Sequence, residues 1–172
     1  MNYSKLKNIP WLLLIIFLCM ACSQSDAQKE FENQAFRAPQ NITETTSNGE
    51  PVEGGDEDPD DWRIGPDYRG LVEVGKPAYP NPVLIDDFIF IELDFGFESR
   101  IRGLRIFAFS DPNVNIQQID EITRELSTIE TLRISPSLFA GSTGVGLATL
   151  YRIVITDQNE NVLTYGDVEV RR

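Results

Sequence analysis

The stretch "DFIFIELDF", Asp87 to Phe95, alternates apolar and polar residues with a period of two. Only a strand repeats this way, because successive side chains point to opposite faces of a sheet. Ile89, Ile91, Leu93 and Phe95 fall on one face, with Glu92 and Asp94 opposite. Phe88 and Phe90 make the start of the second face apolar too, so part of that face is predicted to be covered. The same reading applies to "GLRIFAF", with Leu104, Ile106 and Ala108 on one side and Phe107 and Phe109 on the other. In "LYRIVIT", Tyr151, Ile153 and Ile155 share a face, and in "NVLTYGDVEV" Val162, Thr164, Val168 and Val170 do. "TLRIS", Thr131 to Ser135, adds a fifth run. β-branched and aromatic residues dominate all five, which suits half-buried pleated surfaces.

"DQNEN", Asp157 to Asn161, reads as the hairpin loop between the last two strands, since Asn tolerates the left-handed backbone of a tight loop. Between Ile116 and Ile129 the period changes. Ile119, Ile122, Leu126 and Ile129 are spaced 3, 4 and 3, the face of an amphipathic helix, with Asp111 or Asn113 as cap and Pro112 near the start. "SPSLFAGSTGVG" is a Gly/Ser-rich connection predicted to tuck Leu138 and Phe139 into the core. Several strands punctuated by Gly, Pro and Asn argue for a mainly β chain. The expectation is a small immunoglobulin-like β-sandwich over residues 62–172 with one inserted helix.

The 172-residue chain has 27 acidic and 15 basic residues, net −12, and no His. Without its first 21 residues, which hold two Lys and no acid, the net charge is −14. That balance disfavours nucleic acid and anionic lipid headgroups as electrostatic partners. From Ser23 to Trp62 acids outnumber bases 11 to 2, and "NGEPVEGGDEDPDD" has the makeup of a self-repelling tether. Residues 22–61 are therefore predicted to be disordered, with a coil span on the order of 35 Å. Two aromatic islands interrupt this composition, "FENQAF" at Phe31 to Phe36 and "DDWRIGPDYRG" at Asp60 to Gly70. They read either as docking points onto the chain's own domain or as partner contacts. Trp62, Tyr68 and Tyr79 flank the domain entrance and are the candidate contact residues, since exposed aromatics are over-represented at binding hot spots.

The first eight residues carry Lys5 and Lys7 and no acid, and an apolar run follows from Trp11 to Ala21. This order describes a secretory signal, and the run is shorter than the roughly 20 residues of a spanning helix. The only cysteines, Cys19 and Cys22, lie in or beside it, where a disulfide would staple nothing. Ala21 followed by Cys22 resembles the lipobox of bacterial lipoproteins. In that family the cysteine becomes the first mature residue and is acylated. The family prefers Leu three residues before this Cys, where Cys19 stands here, with Leu18 one position early. The resemblance implies a signal peptide over residues 1–21, lipidation at Cys22 and an outer-membrane location facing an envelope protein partner. An ordinary secretory signal and an uncleaved anchor are the alternatives.

"AYPNPV" with Pro80, Asn81 and Pro82, then Tyr151 to Thr156 and Val162 to Arg172, resembles the C-terminal sorting domains of the type IX secretion system. Those are small immunoglobulin-like sandwiches. The likeness implies the fold, and a sorting function as an alternative role. Leu150 stands where that family usually has Gly.

Few residues here offer catalysis. Without His there is no His-based triad or ligand. "GSTGVG", Gly141 to Gly146, lacks the Lys-Ser/Thr ending of a phosphate loop. Ser137 and Ser142 have no base to activate them. Asp56, Glu57, Asp58, Asp60 and Asp61 form a calcium-like cluster, but Pro59 interrupts it and the EF-hand order is absent. Asp86 and Asp87 pair before a strand, where adjacent carboxylates begin turns. The expectation is a non-enzymatic binding or assembly module with no cofactor and no metal. A small hydrolase using paired carboxylates is the remaining alternative.

Overall fold

The computed structural model describes residues 26–96, 101–140 and 149–171. The described residues are mainly β and form two sheets and one α-helix. Its strands are β1 (Arg63–Ile64), β2 (Glu73–Tyr79), β3 (Val83–Leu84), β4 (Ile89–Asp94), β5 (Leu104–Phe109), β6 (Gln117–Ile122), β7 (Ile129–Ile134), β8 (Thr149–Thr156) and β9 (Val162–Arg171). The larger sheet runs β1-β9-β8-β5-β6, with β3 pairing parallel to the end of β9. The smaller runs β2-β4-β7.

The two sheets bury their facing sides against each other. Ile89, Ile91 and Leu93 of β4 meet Leu104, Ile106, Ile153 and Ile155 in one core, all with no exposed surface. Each such side chain contributes about 1.5–3 kcal/mol of burial free energy. The second face of β4 is covered only in part: Phe90 lies 5.6 Å from the Tyr79 ring, and the Arg133 guanidinium sits 3.6 Å over Phe88, which stays 36% exposed. In the final hairpin one residue departs from the expected alternation. A register shift sets Thr156 opposite Val162 while Ile155 faces Thr164. Val162 consequently joins a cluster on the outer face of the large sheet, apart from Val168 and Val170 in the core.

The outer face of the large sheet is covered by a segment whose composition marks it as tether. Residues 26–35 form an α-helix, α1. Phe31 and Ala35 pack from it onto Phe109, Val154, Val162 and Tyr165. Phe31 and Tyr165 meet at 5.0 Å between ring centres, and Phe36 stacks on Phe109 at 6.3 Å. Further along, Ile42, Thr43 and Thr45 are buried. Thr45 bridges to both Pro51 and Asn81. Residues 26–61 are thus a strap folded over the domain, and the docking reading of the "FENQAF" aromatics is the one the structure adopts.

The amphipathic helix expected between Ile116 and Ile129 is instead strand β6, a connection and the start of β7. The reason lies in the pairing of β5 with β6. Ile106 faces Asp120 and Phe107 faces Gln118, so Ile119 is the extra residue of a β-bulge. The bulge lets Ile119 and Ile122, three apart, both pack against the core. A strand with one bulge mimics a helical interval. Leu138 is also displaced from its expected place: it is 51% exposed, while Phe139 beside it packs against the core and Tyr151.

Candidate functional site

Of the three aromatics read as exposed contact residues, two are buried. Trp62 is 6% and Tyr68 8% exposed. Trp62 adopts a positive φ of 58°, and its ring lies flat over Gly166. Tyr68 donates its hydroxyl to Asp157 Oδ2 at 2.9 Å. Burial and that bond raise the phenol above its usual range. Tyr79 is half-buried between Phe90 and Lys76. Trp62 and Tyr68 pin the entrance of the domain to its core, while Tyr79 keeps part of its surface exposed. The remaining proposed site residue, Cys22, lies outside the described residues, as do Ser142 and the "GSTGVG" loop.

The acidic stretch is divided among separate tasks. Asp60 pairs with Arg63 at 3.1 Å, and Asp58 accepts the Asp60 amide at 2.9 Å. Asp61 turns inward. Among the described residues, no group of three or more acidic or thiol side chains converges on a point that could hold a metal. Asp86 and Asp87 are exposed in the turn after β3.

Asp61 belongs to a buried polar knot that sequence reasoning missed. At its centre Arg152 donates to both oxygens of Asp167, Nε to Oδ1 at 2.6 Å and Nη2 to Oδ2 at 2.9 Å. Arg152 and Asp167 face each other across the β8–β9 ladder, a polar pair beside the apolar Val154 and Tyr165 of the outer face. Arg152 Nη1 also donates to the carbonyl oxygens of Gln34 and Arg37, at 2.9 and 3.3 Å, and so caps the end of α1. Asp167 Oδ2 accepts the Gln40 amide at 2.8 Å. Asp61 Oδ1 accepts the Asp167 amide at 2.8 Å, and its Oδ2 accepts the Thr43 amide at 3.0 Å. Burial, then the nearby Asp167 charge, pushes the Asp61 carboxyl up to about 8 despite those amide bonds. Asn81, fully buried between Pro80 and Pro82, donates to the carbonyls of Thr43 and Asp167 and accepts the Glu169 amide. Every one of these groups joins the strap to β9. The knot is structural chemistry, with its carboxylate oxygens already engaged.

An open cavity of about 570 Å³ lies at the opposite end of the large sheet's ladder, where β8 turns into β9. Leu71, Ile101, Arg102, Thr123 and Gln158 line it. Its floor is held firmly. Asp157 accepts the amides of Asn159 and Asn161 at 2.8 and 3.0 Å besides the Tyr68 hydroxyl. Burial raises the Asp157 carboxyl, but the bonds from Asn161, Tyr68 and Asn159 outweigh it and hold the group below its ordinary range. Gln158 Nε2 donates to the Ile122 carbonyl at 3.1 Å, closing the gap to β6. The volume falls within the range of small-molecule and peptide pockets. A guanidinium beside two aliphatic side chains suits an anionic group carried on an apolar body.

Comparison with family models, with curated proteins and with solved structures finds no match to this chain. Any functional reading therefore rests on the chain's own residues.

Proposed function

We propose that this chain is a lipid-anchored, non-enzymatic binding or assembly module of the bacterial cell envelope, carried at the outer membrane by acylated Cys22. The observation that carries the reading is the order at the N-terminus: Lys5 and Lys7, the apolar run to Ala21, then Cys22. The buried carboxylates support a role without catalysis. Asp61 and Asp167 approach each other, yet their oxygens are taken by amides and Arg152. Intact mass of the membrane-extracted protein, before and after Cys22→Ser, tests the anchor. The expected mature chain begins at Cys22 with added acyl groups, and the substitution removes them. A chain cut elsewhere without added mass removes the anchor from this reading. Turnover by the purified protein in a broad hydrolase screen would overturn the non-enzymatic part.

A further inference from the structure

We propose that the loop end of the sandwich, with Arg69, Leu71 and Arg102, rests on the phospholipid surface to which the chain is anchored. The inference builds on the lipidation of Cys22 and adds which surface meets the headgroups.

Three observations point there. The first is chain length. The helix α1 is already formed at residue 26 and packed on the sheet. Asp26 is four steps along the chain from Cys22, and a chain reaches at most about 3.3–3.6 Å per residue, so the anchor lies within about 14 Å of the folded body. The second is where that attachment falls. Gln28, in the first part of α1, donates to the Val162 carbonyl and accepts the Asp67 amide. This fixes the anchored end of α1 beside the β8–β9 turn and the turn leading to Leu71, the end that holds the large cavity.

The third is charge. Nearly every cation among the described residues is engaged by an acid or an aromatic ring: Lys29, Arg37, Arg63, Arg105, Arg124, Arg152 and Arg171 by carboxylates, Lys76 and Arg133 by rings. Arg69 and Arg102 alone have neither, and both are exposed: Arg102 lines the cavity, and Arg69 stands two residues before Leu71, which also lines it. Between them Leu71 is 43% exposed at a tip turned by Gly70, whose φ is 78°. Two free guanidiniums flanking an exposed leucine match the headgroup layer, with phosphates for the arginines and acyl carbon for the leucine. Asp157, on the same rim, is consumed by its own loop and Tyr68. The net charge of the rest of the chain opposes contact with an anionic surface, so the fit is to zwitterionic lipid approached at this end.

The test uses the full chain, extracted from membranes and reconstituted into phosphatidylethanolamine–phosphatidylcholine vesicles. Leu71→Cys and Leu84→Cys variants carry an environment-sensitive fluorophore; Leu84 is 55% exposed and pairs with Arg171 at the far end of β9. Brominated lipids are expected to quench the label at 71 several-fold more than the label at 84. The double reversal Arg69→Glu, Arg102→Glu is expected to abolish that difference while intact mass still shows acylation. Equal, weak quenching at both positions of an acylated chain overturns the docking and leaves the anchor standing. A chain without acyl mass overturns both.

Discussion

A Cβ built on Gly166 would lie 2.2 Å from Trp62 Cε2, against the rigid ring rather than a flexible tip. Gly166→Ala must therefore displace the indole that closes the core, at a cost of about 1–3 kcal/mol or more. Urea denaturation should show it as a lowered midpoint at unchanged slope. Thr164 presents the opposite case. Its hydroxyl is fully buried and finds no hydrogen-bond partner among the described residues. Thr164→Val removes a desolvated polar group at nearly constant volume, and the expected result is a neutral or higher midpoint, by up to about 1 kcal/mol. Arg152→Ala leaves Asp167 buried without its countercharge and is expected to cost about 3–5 kcal/mol.

Three carboxyl groups, Asp61, Asp157 and Glu130, link stability to pH in opposite senses. Asp61 is raised from 3.8 to about 8, so the fold favours its protonated form. Its contribution is fully present below pH 3.8 and is lost as pH rises toward 8. Asp167, Asp58 and the Arg152 guanidinium are the charges around it. Asp157 and Glu130 are lowered, burial being outweighed by hydrogen bonds from Asn161 and Tyr68 and from Arg124 and Ser127. Their contributions are present above the unfolded carboxylate range and are lost as pH falls below it. The two trends meet near pH 4–5, and from there unfolding free energy is expected to fall toward pH 8 by at most about 1.4 kcal/mol per pH unit. Denaturant midpoints that rise steadily from pH 5 to pH 8 would contradict the protonated Asp61.

At the scale of elements, the strands with one face fully buried were legible. β4, β5 and β8 show clean alternation because every second residue enters the core. β6 hid itself because the bulge at Ile119 replaced an interval of two by three, and because its other residues face water. The helix α1 was hidden differently. Its inward stripe is Gln28, Phe31 and Ala35, and the polar first member serves the Val162 carbonyl. Composition counts that glutamine as solvent-facing, while geometry uses it as glue. The polar knot was equally invisible, since Arg152 and Asp167 become neighbours only once β8 and β9 are in register. In the candidate cavity, Arg102 comes from the approach to β5 and Leu71 from that to β2, and no local pattern joins them.

Over the whole molecule, α1 makes a third layer, and the sandwich depends on it. Deleting residues 26–37 would uncover Phe109, Val154 and Tyr165 on the large sheet. The expected outcome is strong binding of a hydrophobic dye and concentration-dependent aggregation, because an apolar patch of that kind is rarely left open on a monomer. A truncated protein that stays monomeric and dye-free would show that the outer face needs no cover. The same layering removes the stand-off that an acidic linker of forty residues would provide.

The strap and β9 hold each other through Gln40 and Asp167, Thr43 and Asp61, Gln28 and Val162. The strap, synthesised before the sheets, is therefore locked by β9, which follows all the other strands described. Until Val162 to Arg171 has been synthesised, α1 lacks its docking surface, and closing such distant pairings is slow. A chain of this design cannot seat α1 until β9 has been made. Any product that stops before the last strand lacks its lock and exposes apolar surface, leaving it open to proteases.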